Sequence, residues 1–183
     1  MLTTHTPLEP RGRRDSDRDH ATALTIEIGT TIGTGATDLA AFDAALRELG
    51  VGEANLIRLS SVIPPRARVR RTTRVRQRIA WGDRLYCVYA LGHASTAGAT
   101  TAAGVGWALR ADGSGAGLFV EHAAETAAQV DDLIRASLAD MTAARSARFG
   151  AVHTATIQAR SDGRATCALV LAAYRAVGWD QPA

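Results

Sequence analysis

Apolar and polar positions begin to alternate soon after residue 22, where Leu24, Ile26 and Ile28 are separated by Thr25 and Glu27. That period of two predicts a half-buried strand, and the glycine-rich run 29–35 behind it reads as a flexible loop. The period then lengthens. Leu39, Phe42, Leu46 and Leu49 fall on one face of a helix predicted over Asp38–Leu49, with Thr37 as N-cap and Gly50 as its stop. Gly50 and Gly52 turn the chain into a strand at 54–59. Further strands are expected at 83–91, 99–110 and 117–121, with a turn at 112–115. Ala127, Val130, Ile134, Leu138 and Met141 repeat at helical spacing within a second helix placed at 123–148. Residues 152–159 and 166–174 flank Ser161-Asp162-Gly163-Arg164 as a β-hairpin. Clustered strands with only two helices favour an α+β fold over a doubly wound parallel sheet.

Residues 1–21 stand outside this pattern. Their mixed charges and few apolar side chains predict a flexible tail, leaving 22–183 as one domain. No apolar run is long enough to cross a membrane and the amino-terminal stretch lacks the apolar core of a signal peptide, so a cytoplasmic protein is expected. Cys87 and Cys167 lie in apolar runs without metal-ligand spacing and read as buried free thiols, with no metal expected.

The net charge of +3 is the small difference between 21 basic and 18 acidic residues and decides little. Every basic residue is an arginine, and the chain has no lysine. Pyridoxal-phosphate chemistry and amine-based aldolase chemistry both need a lysine, so both are excluded. Arg66, Arg68, Arg70, Arg74, Arg76 and Arg78 would share one side of an extended segment. Such a stripe is either a charged edge that discourages aggregation or a docking surface for a polyanion; without interleaved aromatics, nucleic acid is an unlikely partner.

Candidate chemistry gathers at Ser60-Ser61, which ends an apolar β-favouring run just before Pro64-Pro65. A serine hydroxyl can attack the preceding carbonyl where structure presents it, although the same dipeptide also suits an ordinary strand end. Either Asn55 or Arg58 could face that point. Glu121 and His122 offer proton donors by type, and Asp43 lies at the margin of the first helix's apolar face.

Three segments together resemble the pyruvoyl-dependent arginine decarboxylase family: 39–46, with Leu39, Phe42, Asp43 and Leu46; 50–65, containing Asn55-Leu56-Ile57-Arg58-Leu59-Ser60-Ser61-Val62-Ile63-Pro64-Pro65; and 117–121, ending in Glu121 before a helix. The resemblance implies a single-domain αββα sandwich with mainly antiparallel sheets. It also implies self-cleavage between Ser60 and Ser61 into a β chain, 1–60, and an α chain, 61–183. In that scheme Ser61 attacks the Ser60 carbonyl to give an ester, and β-elimination and loss of ammonia leave a pyruvoyl cofactor at position 61. Asn55 is implied in processing and Glu121 as the general acid of L-arginine decarboxylation to agmatine. Asp43 would receive the substrate guanidinium, with Leu39, Leu46 and Val62 around its methylene chain. The family assembles as a trimer with active sites at subunit boundaries. The dense arginines departing from that pattern keep two alternatives open: another amino acid as substrate, or an unprocessed partner or polyanion-binding protein.

Overall fold

A computed structural model describes residues 23–181. The expected tail at 1–21 lies outside them. Nine strands and two helices follow in the order β1 (Thr25–Gly35), α1 (Asp38–Leu49), β2 (Asn55–Arg58), β3 (Val62–Ile63), β4 (Arg68–Thr72), β5 (Arg84–Ala94), β6 (Thr100–Leu109), β7 (Gly117–Ala124), α2 (Ala127–Ala143), β8 (His153–Arg160) and β9 (Ala165–Val177). One sheet runs β2-β5-β9-β1-β4 and the other β3-β7-β6-β8. Only the β1–β4 and β2–β5 pairs are parallel.

Three apolar layers separate the elements into an α+β sandwich of four tiers. Between the sheets lie Ile26, Ile28, Val88, Phe119 and Val170. Ala41, Ala45 and Leu49 of α1 cover Leu85, Leu169 and Leu171 on one outer face, while Val130, Ile134 and Leu138 of α2 cover Leu118 and Val120 on the other. Strand β9 is buried from Ala165 to Tyr174, which accounts for its unbroken apolar run: both of its faces are covered. No helix among the described residues is long and apolar enough to cross a membrane.

Helix α1 has the bounds and caps its sequence predicts. Thr37 accepts the Ala40 N–H, and Gly50 closes the helix in the left-handed region. Its buried face differs, consisting of Ala41, Ala45, Leu46 and Leu49, while Leu39 is 76% exposed. The run 29–35 is a continuation of β1 and not a loop. Its glycines serve close approach: a Cβ on Gly33 would lie 2.1 Å from the Ala41 carbonyl oxygen, so α1 can lie this near the strand only over glycine. Helix α2 is shorter than 123–148 because β7 continues through Ala124 and Thr126 caps the helix in a box with Gln129. Strands β8 and β9 are not a hairpin. Each pairs in a different sheet, and 161–164 is a corner between layers.

The arginine stripe is also dispersed. Only Arg68–Thr72 is strand. Arg70 pairs at 2.7 Å with buried Glu27, whose other oxygen accepts the Arg76 backbone N–H. Arg71 crosses to the Thr154 carbonyl on β8, and Arg74 donates to the Glu48 and Arg47 carbonyls at the end of α1. These arginines fasten the β4 edge and the segment behind it, which fits the charged-edge reading.

Candidate active site

Strand β2 is one edge of the five-stranded sheet and β3 one edge of the four-stranded sheet, so residues 59–61 carry the chain between layers. Both flanks are tied down. The Leu59 N–H donates to the Cys87 carbonyl at 2.9 Å, the Ser61 carbonyl accepts the Phe119 N–H at 2.8 Å, and the Tyr174 hydroxyl donates to the Val62 carbonyl at 3.0 Å. Between those anchors Ser61 adopts a φ of +67°. That left-handed conformation costs a non-glycine residue about 1–2 kcal/mol, and it falls on the residue that would attack its own amino-terminal peptide bond.

Glu121 comes to the same point from β7. Along that strand Phe119 faces the inter-sheet core and Val120 faces α2, so alternation turns Glu121 inward and His122 outward. The Glu121 side chain is only 13% exposed. Its Oε1 accepts the Ser61 hydroxyl at 2.5 Å, and its Oε2 lies 3.8 Å from Nη2 of Arg58. The Arg58 guanidinium in turn lies over the Tyr89 ring, 5.0 Å from its centroid. Arg58, Tyr89, Leu91 and Glu121 line a cavity of about 370 Å³. Burial, and then the charge of Glu121, push the Tyr174 phenol above its ordinary range, so it remains a hydrogen-bond donor to Val62.

This arrangement supplies a hydroxyl nucleophile, an acceptor for its proton and a cation beside that acceptor, all around a residue held in the left-handed region. It also suits a carbonyl group built at position 61, because the amide carbonyl of that residue already has a fixed backbone donor in Phe119.

Other sequence candidates are placed elsewhere. Asn55 begins β2, about 10 Å along the strand from Arg58, and its amide donates to the Gly82 carbonyl at 2.8 Å. Asp43 pairs with Arg47 at 2.9 Å on the exposed side of α1. Leu46 is buried beneath that helix, Leu39 projects from it, and Val62 is 57% exposed beside a second cavity of about 570 Å³ shared with Pro64, Pro65 and Phe149. The His122 ring is held by Ser137 of α2 at 2.8 Å. No motif in the sequence points to Tyr174. The unbroken apolar run of β9 gives no sign of which face Tyr174 takes, and the layering brings it to Val62.

A serine hydroxyl bonded to a largely buried carboxylate, at the junction between the two sheets of an α+β sandwich, is the arrangement to be matched with known proteins. The family model described as pyruvoyl-dependent arginine decarboxylase matches residues 25–177. A protein of Halobacterium salinarum bearing that name is 37% identical over 154 residues, covering 81% of this chain and 92% of its own. Namesakes in Pyrococcus abyssi and Thermoplasma volcanium are 36% and 32% identical over 102 and 91 residues, covering 55% and 50% of this chain and 63% and 50% of their own. The chain belongs to the pyruvoyl-dependent arginine decarboxylase family, which implies a covalent pyruvoyl cofactor.

Proposed function

We propose that this chain cleaves itself between Ser60 and Ser61, becomes a two-chain enzyme of residues 1–60 and 61–183, and decarboxylates L-arginine to agmatine. The observation that carries the reading is the 2.5 Å hydrogen bond from Ser61 to Glu121 at a serine with positive φ. Glu121 accepts the hydroxyl proton as Ser61 Oγ attacks the Ser60 carbonyl. A pyruvoyl group at position 61 would supply an electrophilic carbonyl and an electron sink for decarboxylation of the substrate amino acid. Glu121, still facing position 61 and reprotonated from solvent, would deliver a proton to the product carbon, and the Phe119 N–H would steady charge on the residue 61 carbonyl.

The substrate's guanidinium calls for a carboxylate, and Asp43 is the one to which the family pattern assigns it. Within one protomer Asp43 is engaged with Arg47 on the outer helix, whereas Ser61 lies where the two sheets meet. A second copy bringing exposed Leu39 and Asp43 over exposed Val62 would complete the pocket, in keeping with a homotrimer whose sites lie between protomers. Asn55, also remote from Ser61, would then act in processing from a neighbouring copy. Two free buried thiols agree with a cytoplasmic setting.

Denaturing mass spectrometry of the purified protein tests the cleavage: two chains split after Ser60, the second starting with pyruvoyl, are expected, and a persistently intact chain would overturn it. Product assays with arginine, ornithine, lysine, histidine and aspartate test the substrate, and absence of arginine turnover would refute the assignment.

A further inference from the structure

We propose that Arg58 is a positioning residue for self-cleavage: its guanidinium holds Glu121 so that one carboxylate oxygen is reserved for the Ser61 hydroxyl. The inference rests on the processing reaction just described and adds a third group to it.

Three observations converge on Arg58. It is the last residue of β2 and stands two positions before Ser60, so its backbone is fixed by the parallel ladder that pairs it with Cys87. Its guanidinium lies over the Tyr89 ring and reaches within 3.8 Å of Glu121 Oε2. Tyr89 is itself fixed against Phe42 of α1, with ring centroids 6.0 Å apart. The two carboxylate oxygens of Glu121 therefore have separate partners, Ser61 on Oε1 and Arg58 near Oε2. At 3.8 Å the second contact is electrostatic and not a hydrogen bond, which makes it a charge that orients the carboxylate without competing for the oxygen the reaction uses.

The proton inventory explains the need. As the Ser61 Oγ bonds to the Ser60 carbonyl carbon, its proton passes to Glu121 Oε1. That proton is then returned to the Ser61 nitrogen as the carbon–nitrogen bond breaks, giving the ester and restoring the carboxylate. Oε1 must face the same spot at the start and at the end of this exchange, and a freely rotating carboxylate would not keep it there. A tyrosine-stacked guanidinium on the opposite oxygen keeps that orientation.

The test follows self-cleavage of the newly synthesised full chain by intact-mass time course. Arg58→Ala is expected to cleave roughly tenfold more slowly or worse, Arg58→Lys to recover most of the rate, and millimolar ethylguanidinium to speed Arg58→Ala but not the wild type. Melting of the same substitution on a Ser61→Ala background reports any loss of fold. Arg58→Ala cleaving at the wild-type rate would overturn the inference, as would a slow variant that neither lysine nor ethylguanidinium restores. A wild-type chain that stays intact would instead overturn the processing reaction itself, and this role with it.

Discussion

The Ser61 hydroxyl donates to Glu121 Oε1 at 2.5 Å across a separation of 60 residues. The contact depends on register: β3 and β7 are antiparallel with Val62 opposite Leu118, and the next inward position beyond Phe119 on β7 is Glu121. A slip of one residue would turn Glu121 toward α2 and bring His122 inward, so strand pairing sets the chemistry as well as the fold.

From this pair we expect Ser61→Ala to remain a single chain without decarboxylase activity. Glu121→Gln, which keeps the shape but cannot take the proton, should slow cleavage by about a hundredfold. Intact-mass time courses check both, and a Glu121→Gln chain that cleaves at the wild-type rate would falsify the assignment of Glu121 as proton acceptor.

Tyr174 secures the carboxyl-terminal side of the junction through its 3.0 Å hydrogen bond to the Val62 carbonyl. Tyr174→Phe leaves that carbonyl without its donor and should cost about 1–3 kcal/mol. Urea unfolding on a Ser61→Ala background gives the value for one uncleaved chain. An unchanged midpoint would show that the tie carries no stability.

Much of the fold is legible in the sequence where local signals agree. Thr37, the α1 repeat and Gly50 define that helix, and alternation about Ile26 and Ile28 begins β1. Signals fail where distant contacts decide. Gly29, Gly33 and Gly35 resemble a loop until α1 is seen lying on them, and 152–174 resembles a hairpin until its strands enter different sheets. The motif and the family resemblance point to Ser60, Ser61 and Glu121, and the structure brings Ser61 and Glu121 into contact. Sequence leaves Arg58 as an alternative to Asn55, because no pattern tells which side chain of an edge strand reaches the next layer. Asp43 and Leu39 are visible in sequence but lie on the exposed side of α1, and no sequence pattern tells what an exposed face meets.

Gly33 puts that lesson to measurement. As a loop residue it would accept alanine easily, but beneath α1 the added Cβ would press on backbone at Ala41 and Ala45. Gly33→Ala should therefore destabilise the fold by about 1–3 kcal/mol, as overpacking does. Denaturant unfolding decides, and a neutral result would contradict the helix's placement.

Burial pushes the Cys87 thiol up to about 12, partly opposed by Arg58, and the Cys167 thiol up to about 11, helped by Asp38. Each folded value lies above the ordinary thiol value of 9.0, so above pH 9 the unfolded chain loses thiol protons that the folded chain keeps. Their contribution is intact below pH 9 and is lost as pH rises toward 11 and 12. Unfolding free energies measured on the Ser61→Ala background should fall across this window, and the fall should shrink when both cysteines are replaced by alanine. An unchanged slope would place the titration in other groups.

Asp43 separates a pocket formed by one chain from a pocket shared by two. Asp43→Asn should leave cleavage at Ser60-Ser61 intact while raising KM for arginine by roughly tenfold to a hundredfold, the loss expected for one charge-assisted pair. Coexpression then tests where the residue acts. Ser61→Ala supplies a sound Asp43 but no cofactor, and Asp43→Asn supplies the cofactor but a poor guanidinium site. If Asp43 of one copy serves position 61 of another, mixed oligomers contain some sites with both functional groups, and activity at low arginine should exceed the sum of the two variants expressed apart. If both groups belong to one chain, mixing creates no intact site and the activities only add. Purification through two different tags isolates the mixed oligomers, and strictly additive turnover in that fraction would overturn the shared pocket while leaving self-cleavage untouched.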